Sequence, residues 1–365
     1  MSQTVSTNDP QNASGRNEAR YDAQTLREFA CSLLVKAGMD ERIATNVAEV
    51  LVDGDLLGHT THGLALLNPY LQQIEQGGMT TKGEVDVLSD KGAALLIDGH
   101  KLPGPWLVNQ AIDMLLPRAR EYGTATAVIR QSHHIACLAS YLLRAVRENM
   151  MIVLSCSDPS GQSVAPFGGT KAVFTPNPIA IGIPAASPVL VDISASITTN
   201  GMSGRLAKEG KQFDEEWLID SKGKPTRDPA VLNQDPPGTI LPLGGLSVGH
   251  KGFGLALLIE ALTGGLAGHG RADQVKGWGA TVFISLYDPS AFGGQDNFRR
   301  QMDWIADACR NNPPREGSGA VRMPGDRGLA MYEQQMKEGV VLHASIPPLL
   351  QDAAGRYDMP MPATL

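Results

Sequence analysis

Two short β-rich runs, Ala125-Thr126-Ala127-Val128-Ile129 and Met151-Ile152-Val153-Leu154-Ser155, flank a stretch with helical periodicity from Tyr141 to Val146. Apolar and β-branched residues in runs of this length are typical of buried strands. A strand, a helix and a second strand in succession predict parallel α/β layering. The sequence therefore predicts an α/β protein.

The same patterns divide the chain. Apolar helical stripes in residues 26–57 and 298–339 predict a mainly helical, substrate-side domain made of residues 21–120 and 295–365. Residues 121–294 form the predicted α/β, cofactor-binding domain, with further strands at 179–183, 189–193 and 282–286 and a helix after Gly254. Residues 1–20 have almost no large apolar side chain and predict a flexible tail.

The composition excludes several classes of protein. The chain has 38 acidic and 31 basic residues, and it has no basic run that could follow a phosphate backbone. Nucleic acid and anionic membranes are therefore poor partners. The four cysteines lie far apart without a C-x-x-C pair, which argues against a disulfide framework or a zinc ribbon. No signal peptide or apolar run of ~20 residues is recognised, so we expect a cytoplasmic protein.

A candidate proton-transfer site follows the second apolar stripe, in the run Gly58-His59-Thr60-Thr61-His62-Gly63-Leu64. Here a hydroxyl stands beside an imidazole at a helix end, which suits general acid–base chemistry. Gly54, Gly58 and Gly63 are expected to loosen the backbone there. Alternatively, His62 is a packed or solvated histidine at a helix end.

A dinucleotide fingerprint Gly-x-Gly-x-x-Gly is missing from the sequence. The nearest match is Gly252-Phe253-Gly254, in which Leu257 occupies the third glycine position. Lys251 and Gly252 instead offer a cation and a small residue at the start of an apolar helix, where a phosphate could bind. The alternative is an ordinary glycine-rich helix entry.

Short motifs recur along the chain in a fixed order. They are Asp55-x-x-Gly58-x-x-Thr61-His62-Gly63, Ser132-x-His134, Val164-Ala165-Pro166-Phe167-Gly168-Gly169, Asn177-Pro178, Asp192-x-x-x-Ser196, Pro242-Leu243-Gly244-Gly245, Lys251-Gly252-x-Gly254-Leu255 and Pro324-Gly325-Asp326. In this order they resemble the malate/L-lactate dehydrogenase family, which also includes ureidoglycolate, sulfolactate and diketogulonate dehydrogenases and a reductase of cyclic imines. The resemblance extends from about Tyr21 to the C-terminal region.

This resemblance implies a fold and a cofactor. The expected fold is α/β, with a mixed-sheet, layered NAD(P)-binding domain of the sulfolactate dehydrogenase-like type, not Rossmann, and a mainly helical second domain from the N- and C-terminal segments. It also implies NAD or NADP as cofactor and a homodimer. Asp192 favours NAD slightly, because a carboxylate near the ribose would repel a 2′-phosphate.

The resemblance further implies the cofactor-binding residues. They are His134, Ile135, Ala136, Cys137, Leu138, Asp192, Ile193, Ser194, Lys251, Gly252, Pro324, Gly325 and Asp326. Ala136 replaces the family's usual glycine, and Asp326 replaces the usual glutamate. Asp192 could instead be a helix N-cap, and the Pro324–Asp326 segment could be a plain surface turn.

For catalysis the resemblance implies His62 as proton donor and acceptor, with Thr61 in place of the usual serine and His134 as the second histidine. Both histidines could instead be buried structural residues. Two departures stand out: Leu66 replaces the arginine that clamps the substrate carboxylate, and Met202 replaces a lysine or aspartate. They indicate a less polar or differently anchored substrate, with His59, Arg130 or Arg205 as replacement cations.

Three functions remain open at this point. The first is an NAD(P)-dependent oxidoreductase of a small 2-hydroxy acid/2-oxo acid pair, or its variant, a reductase of cyclic imines such as piperideine- or pyrroline-2-carboxylate. The second is a nucleotide-binding scaffold that has lost turnover. The third is a metal site of His59, His62, His133 and His134, which lacks a neighbouring cysteine or carboxylate, so no metal is predicted.

Overall fold

The computed structural model describes residues 19–365. Its helices are α1 (Ala23–Lys36), α2 (Glu41–Leu56), α3 (Leu67–Glu75), α4 (Gly104–Tyr122), α5 (Ala139–Arg147), α6 (Asn200–Lys208), α7 (Gly245–Val248), α8 (His250–Glu260), α9 (Gln295–Arg310), α10 (Asp326–Glu338) and α11 (Ile346–Arg356). Its strands are β1 (Arg20–Tyr21), β2 (Asp86–Asp90), β3 (Ala94–Asp98), β4 (Thr124–Ser132), β5 (Met151–Ser157), β6 (Pro178–Ile183), β7 (Val189–Ser194), β8 (Leu218–Ile219), β9 (Pro225–Thr226), β10 (Thr239–Ile240), β11 (Ala280–Tyr287) and β12 (Val340–Val341). No helix in this range is long and apolar enough to cross a membrane.

A seven-stranded mixed sheet forms the centre of the fold, in the order β2-β3-β4-β11-β5-β6-β7. Only β3 and β4 pair in parallel, and the other neighbours are antiparallel. β4 and β5 run in the same direction, as the strand–helix–strand order predicts, but they are not neighbours in the sheet. β11 lies between the two strands and pairs antiparallel with both, so that Ile284 faces Ala127 on one side and Leu154 on the other. The mixed sheet implied by the resemblance is confirmed.

Helices cover both faces of this sheet because successive strand residues point in opposite directions. Ala127 belongs to the main core, into which α4 packs, whereas Val128 contacts Leu262 and Ala267 in the segment that extends α8. A second, smaller core joins residues from Val164 to Ile259.

The N-terminal helices form as their apolar spacing predicts. The Asp22 side chain accepts a hydrogen bond from the Thr25 N–H at 2.7 Å and caps α1. The predicted stripe of α1 is buried, as is the α2 stripe from Ile43 to Leu51. The two helices pack against each other and lie in the same core as α4.

The C-terminal segment returns to these helices. α10 packs on α2, and the buried Gln335 donates to the carbonyls of Asp55 and Leu56, both at 3.1 Å. β12 pairs with β1, so Arg20, which was predicted to belong to the tail, lies in a strand. The rest of the predicted tail, residues 1–18, lies outside the described residues. β2 and β3 join the central sheet although they precede residue 120.

Candidate active site

The loop after α2 holds His62. Gly58 adopts a left-handed conformation with φ of +84°, which turns the chain at the end of the helix. Gly54 and Gly63 act differently from the predicted loosening. A Cβ atom at Gly54 would lie 3.0 Å from the His62 carbonyl oxygen, and one at Gly63 would lie 2.4 Å from the Asp55 carboxylate. These two glycines therefore permit close packing of the loop on α2.

The His62 ring is oriented by its neighbour. Thr61 Oγ1 lies 2.8 Å from His62 Nδ1, so Nε2 is the ring nitrogen left for a ligand. Burial lowers the pKa of His62 to about 4, and the electrostatic effects of the neighbouring His59 and Arg205 act in the same direction. The imidazole is thus neutral near pH 7 and can accept a proton.

The second predicted histidine lies directly beside the first. The His62 and His134 rings stack with centroids 6.0 Å apart. His134 Nδ1 accepts a hydrogen bond from the Ala136 N–H at 3.2 Å, and the Tyr70 hydroxyl lies 2.9 Å from the same nitrogen. Because a backbone N–H can only donate, the neutral His134 ring carries its proton on Nε2. His134 therefore offers a hydrogen-bond donor next to His62.

An aromatic group lies against His134, and the sequence did not predict it. The Trp278 ring centroid is 4.6 Å from that of His134 and 5.1 Å from that of His133, and Tyr70 contacts all three rings. His133 is fully buried, and burial lowers its pKa to about 3. We call Tyr70, His133 and Trp278 the aromatic wall. Tyr70 and His133 are fully buried, and Trp278 is the partly exposed member of the group next to His134.

A buried carboxyl group supports the His62 loop. Asp55 Oδ2 accepts a hydrogen bond from the Leu64 N–H at 2.7 Å, while Oδ1 has no hydrogen-bond partner among residues 19–365. Burial raises the pKa of Asp55 to about 7, more than the Leu64 hydrogen bond and the charge of Arg205 lower it. Asp55 thus ionises near neutral pH, well above an ordinary aspartate.

This pKa predicts a pH-dependent stability. Because the folded-state pKa lies above the ordinary value of 3.8, the contribution of Asp55 is fully present below pH 3.8 and is lost as the pH rises through 7. Between about pH 5 and about pH 8 it should remove roughly 2–3 kcal/mol from the free energy of unfolding. Asp55→Asn should lack this loss, as measured by urea unfolding of both proteins at the two pH values.

Asp98→Asn is the matched control. Burial raises the pKa of Asp98, but hydrogen bonds from the His100 N–H and from Arg130 outweigh it, and the pKa ends below its ordinary value. Stability from such a group is lost only below about pH 4, so Asp98→Asn should destabilise the protein equally at both pH values. If wild type and Asp55→Asn lost the same free energy of unfolding between the two pH values, the assignment to Asp55 would be contradicted.

The four predicted cofactor segments meet around β7. Asp192 Oδ2 accepts from the Ala139 N–H at 3.0 Å, directly after the 134–138 segment. The Leu190 N–H donates to the Pro324 carbonyl at 3.1 Å, which joins the Pro324–Asp326 turn to the same strand. A Cβ at Gly252 would lie 2.7 Å from the Ala195 carbonyl oxygen, so the start of α8 reaches the end of β7. The fold thus brings together residues more than 180 positions apart.

Individual residues in these segments have structural contacts of their own. Ala136 has φ of +56°, a left-handed conformation that explains why glycine is the usual residue there. The Gly252 N–H already donates to the Leu243 carbonyl at 3.1 Å. The Asp326 carboxylate pairs with Arg310 at 2.8 Å. Asp192 is not the N-cap residue of the helix that follows it, since Thr199 caps α6, and its side chain accepts from the first N–H of α5 instead.

The replacement cations are placed differently. Arg130 pairs with Asp98 at 2.8 Å. His59 has a ring nitrogen within 4.8 Å of ligand atoms of Cys137 and Asp192, and this is the group of metal-ligating side chains found among the described residues. It differs from the four-histidine site considered from the sequence, because the His133 ring packs against Tyr70 and Trp278. Arg205 lies on the Thr60 side of His62.

Comparison with known proteins identifies the family. The family model for malate/L-lactate dehydrogenase matches residues 21–350. The chain belongs to the malate/L-lactate dehydrogenase family. This confirms the resemblance drawn from the motifs and makes the chain a member of a family of hydroxy acid dehydrogenases. It is similar to the malate dehydrogenase of Pyrococcus abyssi, with 28% identity over 351 residues, which are 93% of this chain and 95% of the relative. The L-sulfolactate dehydrogenase of Methanothermobacter thermautotrophicus is 29% identical over 319 residues, 85% of this chain and 89% of the relative.

Solved structures in this family share the fold. The malate dehydrogenase of Entamoeba histolytica has a TM-score of 0.88 at 24% identity, covering 95% of this chain and all of that one. The sulfolactate dehydrogenase of Methanocaldococcus jannaschii has a TM-score of 0.82 at 25% identity, covering 93% and 98%. The Δ1-piperideine-2-carboxylate reductase of Pseudomonas syringae has a TM-score of 0.79 at 25% identity, covering 92% and 99%. The predicted sulfolactate dehydrogenase-like fold is confirmed.

Proposed function

We propose that this protein is an NAD(P)-dependent dehydrogenase that interconverts a 2-hydroxy monocarboxylic acid and its 2-oxo acid, with His62 exchanging the proton. One observation carries the proposal. His62, half-buried and held by Thr61, stacks on His134, which begins the segment expected to contact the cofactor. Gly54 lets both parts approach α2, since its Cβ would lie 3.0 Å from the His62 oxygen and 3.3 Å from Cys137 Cβ. The proton site and the expected cofactor segment are therefore adjacent.

The residues around β7 fit a nicotinamide nucleotide. Asp192 is half-buried and uses one oxygen on Ala139, which leaves the other to accept from a ribose hydroxyl. Ile193 is 45% exposed and offers an apolar surface, and the exposed Lys251 offers a cation for a phosphate. When bound, the nucleotide would accept or supply the hydride at the substrate carbon.

His62 would perform the proton step. In the oxidation, neutral His62 accepts the proton of the substrate hydroxyl at Nε2, with Nδ1–H donating to Thr61 Oγ1. The low pKa, about 4, keeps the base in its active form at neutral pH. In the reduction the same nitrogen returns the proton to the carbonyl oxygen. His134 Nε2–H would hydrogen-bond that oxygen, because its own Nδ1 is occupied by the Ala136 N–H.

A homodimer is expected from the resemblance, and a cytoplasmic location is expected from the sequence pattern. The surface of α8 and its extension supports the first of these, since Leu257, Leu258 and Leu266 are 49%, 50% and 58% exposed. Large apolar side chains grouped on one surface are typical of an interface.

The function is tested by mixing purified protein with NADH or NADPH and following the absorbance of the reduced nicotinamide. The panel contains 2-oxo monocarboxylates with apolar side chains, oxaloacetate and the cyclic imine piperideine-2-carboxylate. Oxidation of the cofactor with the monocarboxylates is the expected result. Highest activity on oxaloacetate would reject a monocarboxylic substrate. Activity on the imine alone would support a cyclic-imine reductase. Nucleotide binding without any turnover would support a nucleotide-binding scaffold.

A further inference from the structure

Arg205 lies on α6, beside the loop that holds His62. Its Nη1 donates to Thr60 Oγ1 and its Nη2 donates to the Thr60 carbonyl oxygen, both at 2.9 Å. The first turn of the same helix contacts the loop, since a Cβ at Gly201 would lie 3.3 Å from Thr61 Cβ. The guanidinium is thus fixed one residue away from the Thr61–His62 pair.

No carboxylate among residues 19–365 lies within 4.0 Å of this guanidinium. The two acids whose charges act on it are engaged elsewhere: Glu209 pairs with Lys211 at 2.7 Å, and Asp55 accepts from the Leu64 N–H. A guanidinium has five N–H donors, and Thr60 uses two of them. Three donors therefore remain for a ligand.

The charge of this arginine acts on the proposed site. Arg205 is half-buried, and burial lowers its pKa more than the charges of Glu209 and Asp55 raise it. Its charge also contributes to the lowered pKa of His62 and of His343. Arg205 is thus a positive charge that acts on this part of the loop, and a bound anion would be attracted to it.

The chain carries apolar side chains at the two positions where its family resemblance implies polar ones. Leu66 is half-buried and packs against the main core, and Met202 is 39% exposed on α6. Met202 and Arg205 are three residues apart and so are neighbours on one face of the helix. Residue 66 therefore supplies no cation, whereas α6 carries Arg205 one turn after Met202.

We propose that Arg205 binds the carboxylate of the substrate, while Trp278, the partly exposed member of the aromatic wall, receives its apolar side chain. The inference rests on the function proposed above and adds the residue that selects the substrate class. A carboxylate matches the planar donors of a guanidinium, which gives both affinity and orientation. With Trp278 next to His134, the remaining surface suits an apolar group better than a second carboxylate.

Kinetics of Arg205→Gln test this assignment. With 4-methyl-2-oxopentanoate as substrate, kcat/KM should fall roughly 100-fold, because hydrogen bonds between two charged groups are lost. The methyl ester of the same compound has no carboxylate, and its kcat/KM should change by less than about threefold. Thr60→Val removes the acceptor of one Arg205 bond but keeps the cation, and Lys208→Gln removes an exposed charge from the same helix. Both should keep the wild-type ratio of acid to ester.

Two results would show that Arg205 only supports the loop and would overturn the proposal. One is an equal loss of kcat/KM on acid and ester in Arg205→Gln, and the other is an equally large loss of kcat/KM on the acid in Thr60→Val. Calorimetric titration of 4-methyl-2-oxopentanoate into the protein with NAD⁺ separates this inference from the proposed function. Binding that weakens roughly 100-fold in Arg205→Gln supports Arg205 even if no turnover is found. The assignment to Arg205 is rejected if 4-methyl-2-oxopentanoate binds both proteins equally or does not bind to wild type. It is also rejected if Arg205→Gln weakens the binding of NAD⁺ in the absence of the acid.

Discussion

Replacing His62 with glutamine should lower kcat roughly 1,000-fold in both reaction directions, because positioned general acid–base groups typically contribute factors of this size. Glutamine keeps the side-chain volume but cannot exchange a proton near neutral pH. Nucleotide binding should be unchanged, because the segments expected to bind it meet at β7 and His62 is not among the expected cofactor contacts. The measurements are kcat on a 2-oxo monocarboxylate and fluorescence titration with NADH.

Graded changes at Thr61 test how the ring is oriented. Thr61→Ser keeps the hydroxyl that lies 2.8 Å from His62 Nδ1, so it should retain nearly full activity. Thr61→Val removes the hydroxyl and should lower kcat about tenfold, through loss of one hydrogen bond. His100→Asn, on the exposed side of the fold, is the control for histidine removal. A kcat for His62→Gln within about tenfold of wild type would assign the proton to another group.

Much of the fold follows from local pattern. The apolar spacing in α1 and α2 marks their buried faces correctly, because a helix that buries one side must repeat its apolar residues at that interval. The runs at 125–129 and 151–155 are strands for a similar reason. Strand order could not be predicted in the same way. Nothing in either run indicates that β11, more than 120 residues later, inserts between them.

The residues of the candidate site also fall into two groups, those predictable from local sequence and those brought in by tertiary folding. Thr61, His62 and His134 are found by motif, since their chemistry is carried by adjacent residues. Arg205 and Trp278 reach the site through tertiary folding, from 143 and 144 residues beyond His62 and His134. One signal in the sequence points to Arg205, namely the loss of charge at residues 66 and 202, but it does not distinguish His59, Arg130 and Arg205.

Glycines show why composition alone misleads. The cluster around His62 suggests a loose backbone, yet Gly54 and Gly63 have other backbone or carboxylate atoms packed against them. Such sites need glycine because a side chain would not fit, and they are rigid rather than mobile. Sequence cannot separate the two cases, because the packed atoms come from elsewhere in the chain.

Gly252→Ala and Gly254→Ala should have opposite effects on stability, although both lie in α8. A Cβ at Gly252 would lie 2.3 Å from the Leu243 nitrogen, 2.5 Å from the Leu243 oxygen and 2.7 Å from the Ala195 oxygen. All three are backbone atoms, which cannot move aside as a flexible side chain can. The substitution should therefore destabilise the protein by about 3 kcal/mol and weaken nucleotide binding, because Ala195 directly follows β7.

Gly254 is exposed, and a Cβ there meets no atom of residues 19–365 within 4 Å. Alanine loses less conformational entropy than glycine on entering a helix, so Gly254→Ala should raise the free energy of unfolding by roughly 0.5–1 kcal/mol. Urea unfolding of the two variants and wild type measures both changes. Alternatively, Gly252 is needed only as a small residue for phosphate binding. In that case Gly252→Ala would be as stable as wild type and only its binding of NADH would weaken. This result would contradict the close packing of α8 on Leu243 and Ala195.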